Sequence, residues 1–309
     1  MNLFFAPLEG ITTYTYRNTH ARMFGGCDSY YAPFITPSDN EWISLKSLRD
    51  IMPDANKDIS LTVQVLTNRS DSFLKFEEKI RGLGYTHVNI NLGCPSGTVV
   101  KKNRGSGFLR DTEALDRFLD EIFAVSKTEI SVKTRSGFAS GAELETLMQV
   151  YNKYPLSQLI IHPRARADFY NSNPDMEVFA KAYSVSKSKV CYNGNIFSAN
   201  DCQMTAARFP DLMGVMLGRG AVANPAIFRE IRGGKRLETE ELIEFTKILA
   251  EKYLSVLGSE IYTLHKLKEI WMYMMWNFPG EKRVLKAVKK SSRLSDLLEA
   301  IKGLPPTDG

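Results

Sequence analysis

Apolar residues along this chain fall into two repeating kinds of segment. Eight short runs rich in β-branched and aromatic residues recur: LFFA (3–6), YYAPF (30–34), LTVQVL (61–66), HVNINL (87–92), EISVKT (129–134), QLIIH (158–162), KVCYN (189–193) and GVMLG (214–218). Their near-continuous apolarity predicts strands buried on both faces. Between them lie segments such as SDSFLKFEEKIRGLG and DTEALDRFLDEIFAVSK, where apolar residues return every three or four positions, as in amphipathic helices. Asp111 is placed to cap the second of these. Strand and helix in alternation build a parallel sheet, and eight such pairs closing on themselves predict an α/β fold, the TIM (β/α)8 barrel. After about residue 236 the strand signal stops, and LETEELIEFTKILAEKYLSVLG opens a helical pattern that runs to Lys302. We expect a barrel domain over 1–235 and a C-terminal all-helical domain over 236–309, with the GGKR turn (233–236) as the boundary.

Composition narrows the class of protein. Hydrophobic residues make up 43% and charged residues 24%, the balance of a soluble globular chain, and no window approaches the roughly 18 uncharged apolar residues of a membrane span. The N-terminus, MNLFFAPLEGITTYTYR, lacks a basic stretch before its apolar run and reads as a first strand rather than a secretory signal. Cys27, Cys94, Cys191 and Cys202 form no CxxC pair and no metal-type cluster, so we expect reduced thiols, a cytoplasmic protein and no metal. A monomer is expected. The net charge of +5 is unevenly placed. Residues 262–293 carry eight lysine and arginine residues against Glu269 and Glu281, so that stretch holds +6 and the remainder −1. Basicity gathered in one segment suggests contact with a polyanion.

In such a barrel the reactive groups sit at the C-terminal ends of the strands. Here those ends are unusually polar: Pro7, Leu8 and Glu9; Gln64; Asn91 and Cys94; Lys133 and Arg135; His162 and Arg164; Asn193, Gly194 and Asn195; Gly218 and Arg219. The last two loops, NGNIFS and GRGAVANP, join glycines to a helix start and an arginine, a combination that holds phosphate after strands seven and eight. Flavin mononucleotide (FMN) or a phosphorylated substrate would fit there; the plain alternative is that these glycines only permit tight turns. Lys133 with Gln64 suits the polar edge of an isoalloxazine ring, because a cation stabilises the anionic reduced flavin. Gly93 and Pro95 fix Cys94 at the rim, where a largely protonated thiol can give a proton to a developing carbanion. A nucleophilic role would need a base, and His162 would have to reach it across the rim. Cys191, inside its strand, reads as inert packing.

These segments together resemble the tRNA-dihydrouridine synthase family. APLEG is similar to that family's APMxG segment, NINLGCP to its NxGCP signature, SVKTRSG to its VKxRxG strand, IIHPRAR to its HxRxR loop, YNGNI to its NGDI loop and LGRGAVANPAIF to its GRGAxxNPWIF segment, all in order between residues 6 and 228. The resemblance implies an FMN oxidoreductase, reduced by NADPH or NADH, that reduces the C5=C6 bond of a uridine in tRNA, with Cys94 as proton donor. It places Pro7, Leu8, Glu9, Gln64, Lys133, His162, Asn193, Gly194, Asn195, Gly218 and Arg219 around the cofactor. Asn91, Arg135, Arg164, Lys101 and Lys102 would meet the substrate, and Lys286, Lys289 and Lys290 of the basic tail its phosphates. Glu9 stands where the family has a small residue, Pro163 where it usually has Gly, and Asn195 where Asp is commoner. Trp271, Tyr273, Trp276 and Phe278 could stack on RNA, but helical spacing with Met272, Met274 and Met275 favours packing. Two other readings stay open: an FMN barrel acting on a free pyrimidine such as dihydroorotate, and a non-catalytic RNA-binding barrel.

Overall fold

The structure, a computed structural model, describes residues 1–37 and 43–307. Strands β1 (Asn2–Phe5), β2 (Ser29–Tyr31), β3 (Leu61–Val65), β4 (His87–Leu92), β5 (Glu129–Gly137), β6 (Gln158–Ala165), β7 (Val190–Tyr192) and β8 (Gly214–Leu217) pair in parallel in chain order, and β8 closes on β1. Each predicted strand is present, β4 with the expected bounds and the others with shifted ends. β2 stops at Tyr31, two residues before Pro33, which has no N–H to give to a ladder. β5 and β6 run further than predicted, because Gly137 still pairs with Ala165 beyond an irregularity after Arg135.

Around the barrel lie α1 (Tyr14–Met23), α2 (Leu45–Ile51), α3 (Ser70–Gly82), α4 (Gly97–Val100), α5 (Thr112–Phe123), α6 (Leu144–Tyr151), α7 (Met176–Val185), α8 (Ala199–Arg208), α9 (Arg219–Ala223) and α10 (Ile227–Ile231). Asp111 caps α5 as predicted, its carboxylate accepting from the Ala114 N–H at 2.9 Å. The outer core, between strands and helices, takes Val88, Ile90 and Leu92 from β4. The intervening residues His87, Asn89 and Asn91 therefore face the barrel interior, since side chains alternate along a strand.

That interior is only half apolar. Phe4, Ala6, Tyr31, Ile160, Cys191 and Met216 form its small hydrophobic cluster. Beside it runs a ladder of amides and a hydroxyl. His87 Nε2 lies 2.7 Å from Ser131 Oγ, to which Asn89 Nδ2 donates at 2.8 Å. Gln64 Nε2 donates to Asn89 Oδ1 at 2.7 Å, and Asn91 Nδ2 to Gln64 Oε1 at 2.8 Å. Each polar group is matched by its neighbour, as burial demands.

The remaining helices, α11 (Thr239–Leu257), α12 (Glu260–Met274), α13 (Lys282–Lys290) and α14 (Leu294–Lys302), continue the outer core. Phe245 of α11 meets Tyr16 and Phe24 of the barrel edge-on, with centroids 5.4 and 5.2 Å apart. Trp271 is fully buried and donates to Thr246 Oγ1 at 3.1 Å, and Phe278 is buried as well. Trp276 differs: it is 47% exposed and rests against Phe197, 5.7 Å away. Among the described residues no helix is long and apolar enough to cross a membrane.

Candidate active site

Cys94 is held at the C-terminal mouth by contacts from two directions. Asn91 Oδ1 accepts from the Gly93 and Cys94 N–H groups at 3.0 and 2.9 Å, so the top rung of the interior ladder sets the turn that carries the thiol. From above, the chain returns twelve residues later: Ser106 donates both its N–H and its hydroxyl to the Cys94 carbonyl, at 3.1 and 2.8 Å. Gly105 makes this return possible. Its φ is +56°, and a Cβ there would stand 2.9 Å from the Cys94 oxygen. Partial burial raises the thiol's pKa; the Ser96 backbone N–H and the charges of Arg135 and Lys133 pull it down, and Glu9 pushes it up. Burial prevails, and at neutral pH the sulfur keeps its proton.

Cations crowd the same mouth. Burial, and then the charge of Arg135, lowers the Lys133 amine from its ordinary 10.5 to about 8. Among the described residues that amine has no hydrogen-bond partner. Arg135 is itself buried and braces the site: Nε donates to the Gly93 carbonyl at 3.0 Å, and NH1 to those of Ala165 and Phe169, both at 3.0 Å. His162 is held far below its ordinary pKa, first by burial and then by Arg135, Lys133, Arg164 and Arg219. Its Nε2 lies 2.9 Å from Arg164 NH1, a group that can only donate, so Nε2 accepts and the proton of the neutral ring sits on Nδ1.

Around the ends of β7 and β8, Asn195 Oδ1 accepts from Arg164 at 3.1 Å and from Arg219 at 3.2 Å. An aspartate there would neutralise part of this positive charge. The amide positions both guanidinium groups and leaves their charge available to an anion. The cradle is close-packed: a Cβ on Gly194 would strike the Tyr192 hydroxyl at 2.0 Å, and one on Gly220 the Ile196 carbonyl at 2.0 Å. Asn193 ties β7 to β8, donating to the Met216 carbonyl at 2.7 Å. Gly218 lies beside Ala6 and Leu8, bringing the first loop to the eighth strand.

The structure thus gathers Leu8, Asn91, Cys94, Lys133, Arg135, His162, Arg164, Asn195, Gly218 and Arg219 at one mouth. Gln64 lies deeper, fully buried, with its amide engaged by Asn89 and Asn91. Pro7 is half-buried and Glu9 exposed in the β1–α1 turn. Lys101 and Lys102 follow α4 and are exposed, as are Lys286, Lys289 and Lys290 on α13, whose Val288 turns inward. Sequence reading missed Gly105 and Ser106, and it missed Tyr170. The Tyr170 ring is half exposed, with Arg219 4.1 Å, Arg135 5.4 Å and Arg164 5.9 Å from its centroid. An aromatic pair, Phe169 and Tyr170, in a polar loop carries no local signal of such a position.

A closed parallel barrel with a protonated thiol, a half-buried amine without a hydrogen-bond partner and a guanidinium-lined cradle at its C-terminal mouth has the build of a barrel enzyme for anionic ligands. The family model described as dihydrouridine synthase (Dus) matches residues 4–303, and the chain belongs to that family. Among curated relatives, tRNA-dihydrouridine synthase B of Pseudomonas aeruginosa is 27% identical over 254 residues, covering 81% of this chain and 75% of the relative. A probable tRNA-dihydrouridine synthase of Helicobacter pylori is 28% identical over 240 residues, covering 74% and 70%. Among solved structures, a morphinone reductase variant in complex with tetrahydroNAD superposes with a TM-score of 0.55 at 10% identity, over 76% of this chain and 87% of that one. At that identity the likeness is one of fold.

Proposed function

We propose that this chain is an FMN-dependent oxidoreductase that reduces the C5=C6 bond of a uridine in tRNA to dihydrouridine, with NADPH or NADH as reductant. Membership of the dihydrouridine synthase family and the names of its relatives support the reaction class. The observation that carries the reading is Cys94, a thiol kept protonated and held from both sides at the mouth that also presents Lys133. The residues fit FMN: the Arg164–Asn195–Arg219 cradle offers two guanidinium groups to a phosphate, and the half-buried Lys133 amine is left without an anionic partner. FMN held there would provide hydride chemistry for uracil C6. Cys94 Sγ–H gives its proton to C5 as negative charge develops between C5 and O4, and solvent returns a proton to the thiolate. Asn91 and Ser106 hold the sulfur in line, Lys133 balances negative charge at the ring edge, and neutral His162 can donate from Nδ1.

The target uridine must leave its stack, at a cost of a few kcal/mol that contacts elsewhere on the RNA have to offset. We assign that task to the basic helical part after residue 236, with Lys286, Lys289 and Lys290 as phosphate contacts. The test is direct: purified yellow protein and NADPH are given undermodified tRNA, free uracil or orotate, and dihydro product is measured. Product from tRNA alone supports the reading; product from orotate would favour the free-pyrimidine enzyme. With Cys94→Ala, flavin binding and its reduction by NADPH should persist while tRNA reduction falls at least a hundredfold, in keeping with lost general-acid catalysis. Full turnover by this variant would remove the proton-donor role.

A further inference from the structure

A cavity of about 320 Å³ opens between the β1–α1 turn, residues 33–35 after β2, α2, the C-terminal end of α11 and the middle of α12. Its size is at the lower end for small-ligand sites, enough for a single nucleoside. Phe34, Tyr14 and Leu257 contribute its walls, and Lys46 and Arg49 stand at its edge. Its polar groups are mostly committed. Asp50 accepts from the Tyr14 N–H at 2.6 Å and pairs with buried Arg17 at 3.0 Å, while Lys266 donates to the Gly10 carbonyl at 2.8 Å and meets Glu269 at 3.1 Å. Glu9 is an exception, as are Lys46 and Arg49. Among the described residues the Glu9 carboxylate has no hydrogen-bond or ion-pair partner, although the turn carrying it is firmly set. Thr12 Oγ1 accepts from the Leu8 N–H at 2.8 Å, and Gly10 takes φ +78° directly beside Lys266.

Glu9 is exposed, and its chain neighbour Leu8 packs beside Gly218 of the mouth, so the cavity adjoins the reactive rim. A carboxylate with both oxygens unengaged, above apolar walls and beside Lys46 and Arg49, matches a ligand with two adjacent N–H donors, a flat apolar face and a phosphate. Among the RNA bases guanine alone presents two neighbouring N–H donors, N1–H and the N2 amine, on one edge.

We propose that this cavity is a second base pocket, which takes a guanosine of the RNA near the target uridine, with Glu9 accepting the N1–H and N2 amine of its base. The inference rests on the proposed tRNA reduction and adds to it a residue that sets which sequence context is accepted. Lys46 and Arg49 then meet the phosphates on either side of that guanosine.

The test uses full-length holoprotein and undermodified tRNA in which each guanosine near the reduced uridine is replaced, one at a time, by inosine, which lacks the N2 amine. KM and kcat are measured separately for wild type and Glu9→Ala. At one position, inosine should raise the wild-type KM about tenfold or more, the scale of a hydrogen bond to a charged group. The same replacement should change the KM of E9A less than twofold. Inosine tolerated at every position, or equal effects in both proteins, would overturn the pocket while leaving tRNA reduction intact. A variant whose KM rises for NADPH and not for RNA would assign the cavity to the reductant, and one that loses its flavin would assign Glu9 to the cofactor. Wild-type protein that reduces no uridine in unsubstituted tRNA would overturn both readings.

Discussion

Lys133 couples the mouth to pH. Burial penalises its charged form, so its pKa in the folded chain, about 8, lies below the ordinary 10.5. Below about pH 8 the ammonium is present in both folded and unfolded chains, and the folded state carries the whole penalty. Between about 8 and 10.5 the unfolded chain still holds the proton that the folded one has released, so stability gains as pH rises through that window. Thermal unfolding of flavin-free protein should therefore show Lys133→Met more stable than wild type near pH 7, with the gap closing towards pH 10. A gap that widens with pH would mean that the amine already has an anionic partner inside the protein. An anionic ligand beside the amine should abolish the trend by raising its pKa.

At the scale of elements, the loop from α4 to Arg110 acts as a clasp on the end of β4. Its grip depends on Gly105, where the backbone conformation and the nearness of the Cys94 carbonyl both exclude a side chain. Gly105→Ala should cost about 1–3 kcal/mol of stability. It should slow tRNA reduction more than it weakens flavin binding, read by calorimetry, single-turnover assay and flavin titration. Equal loss in all three would reduce the clasp to ordinary packing. The clasp also shows where local sequence reading runs out. The eight strands announce themselves because buried parallel strands must be apolar, and the rim residues follow from the ends of those strands. Ser106 reaches Cys94 only because the chain turns back on itself, a non-local event without a period or motif. The interior ladder was nearer to view: His87, Asn89 and Asn91 alternate with Val88, Ile90 and Leu92, and that period of two already assigns the polar set to one face.

For the whole molecule, charge and packing divide the chain differently. The positive charge is concentrated after residue 262, whereas the outer core runs without a break from α1 into α11 and α12. The tail is therefore anchored as firmly as a barrel helix while α13 presents lysines to solvent. Reversing Lys286, Lys289 and Lys290 together to Glu should weaken tRNA affinity by tenfold or more at low salt and flatten its salt dependence, because fewer phosphate counterions are released. Flavin content and melting temperature should hold. Unchanged affinity would move the RNA platform elsewhere.

The ladder inside the barrel has a consequence beyond aiming one sulfur. If β4 were threaded one residue out of step, His87, Asn89 and Asn91 would turn towards the helices, and Val88, Ile90 and Leu92 would enter the interior. Gln64 would then be stranded with neither of its amide partners. The groups that orient the chemistry thus also proofread the threading of the barrel. A substitution that retunes this mouth risks the assembly of the scaffold itself, and change is cheaper in outlying positions such as the β1–α1 turn.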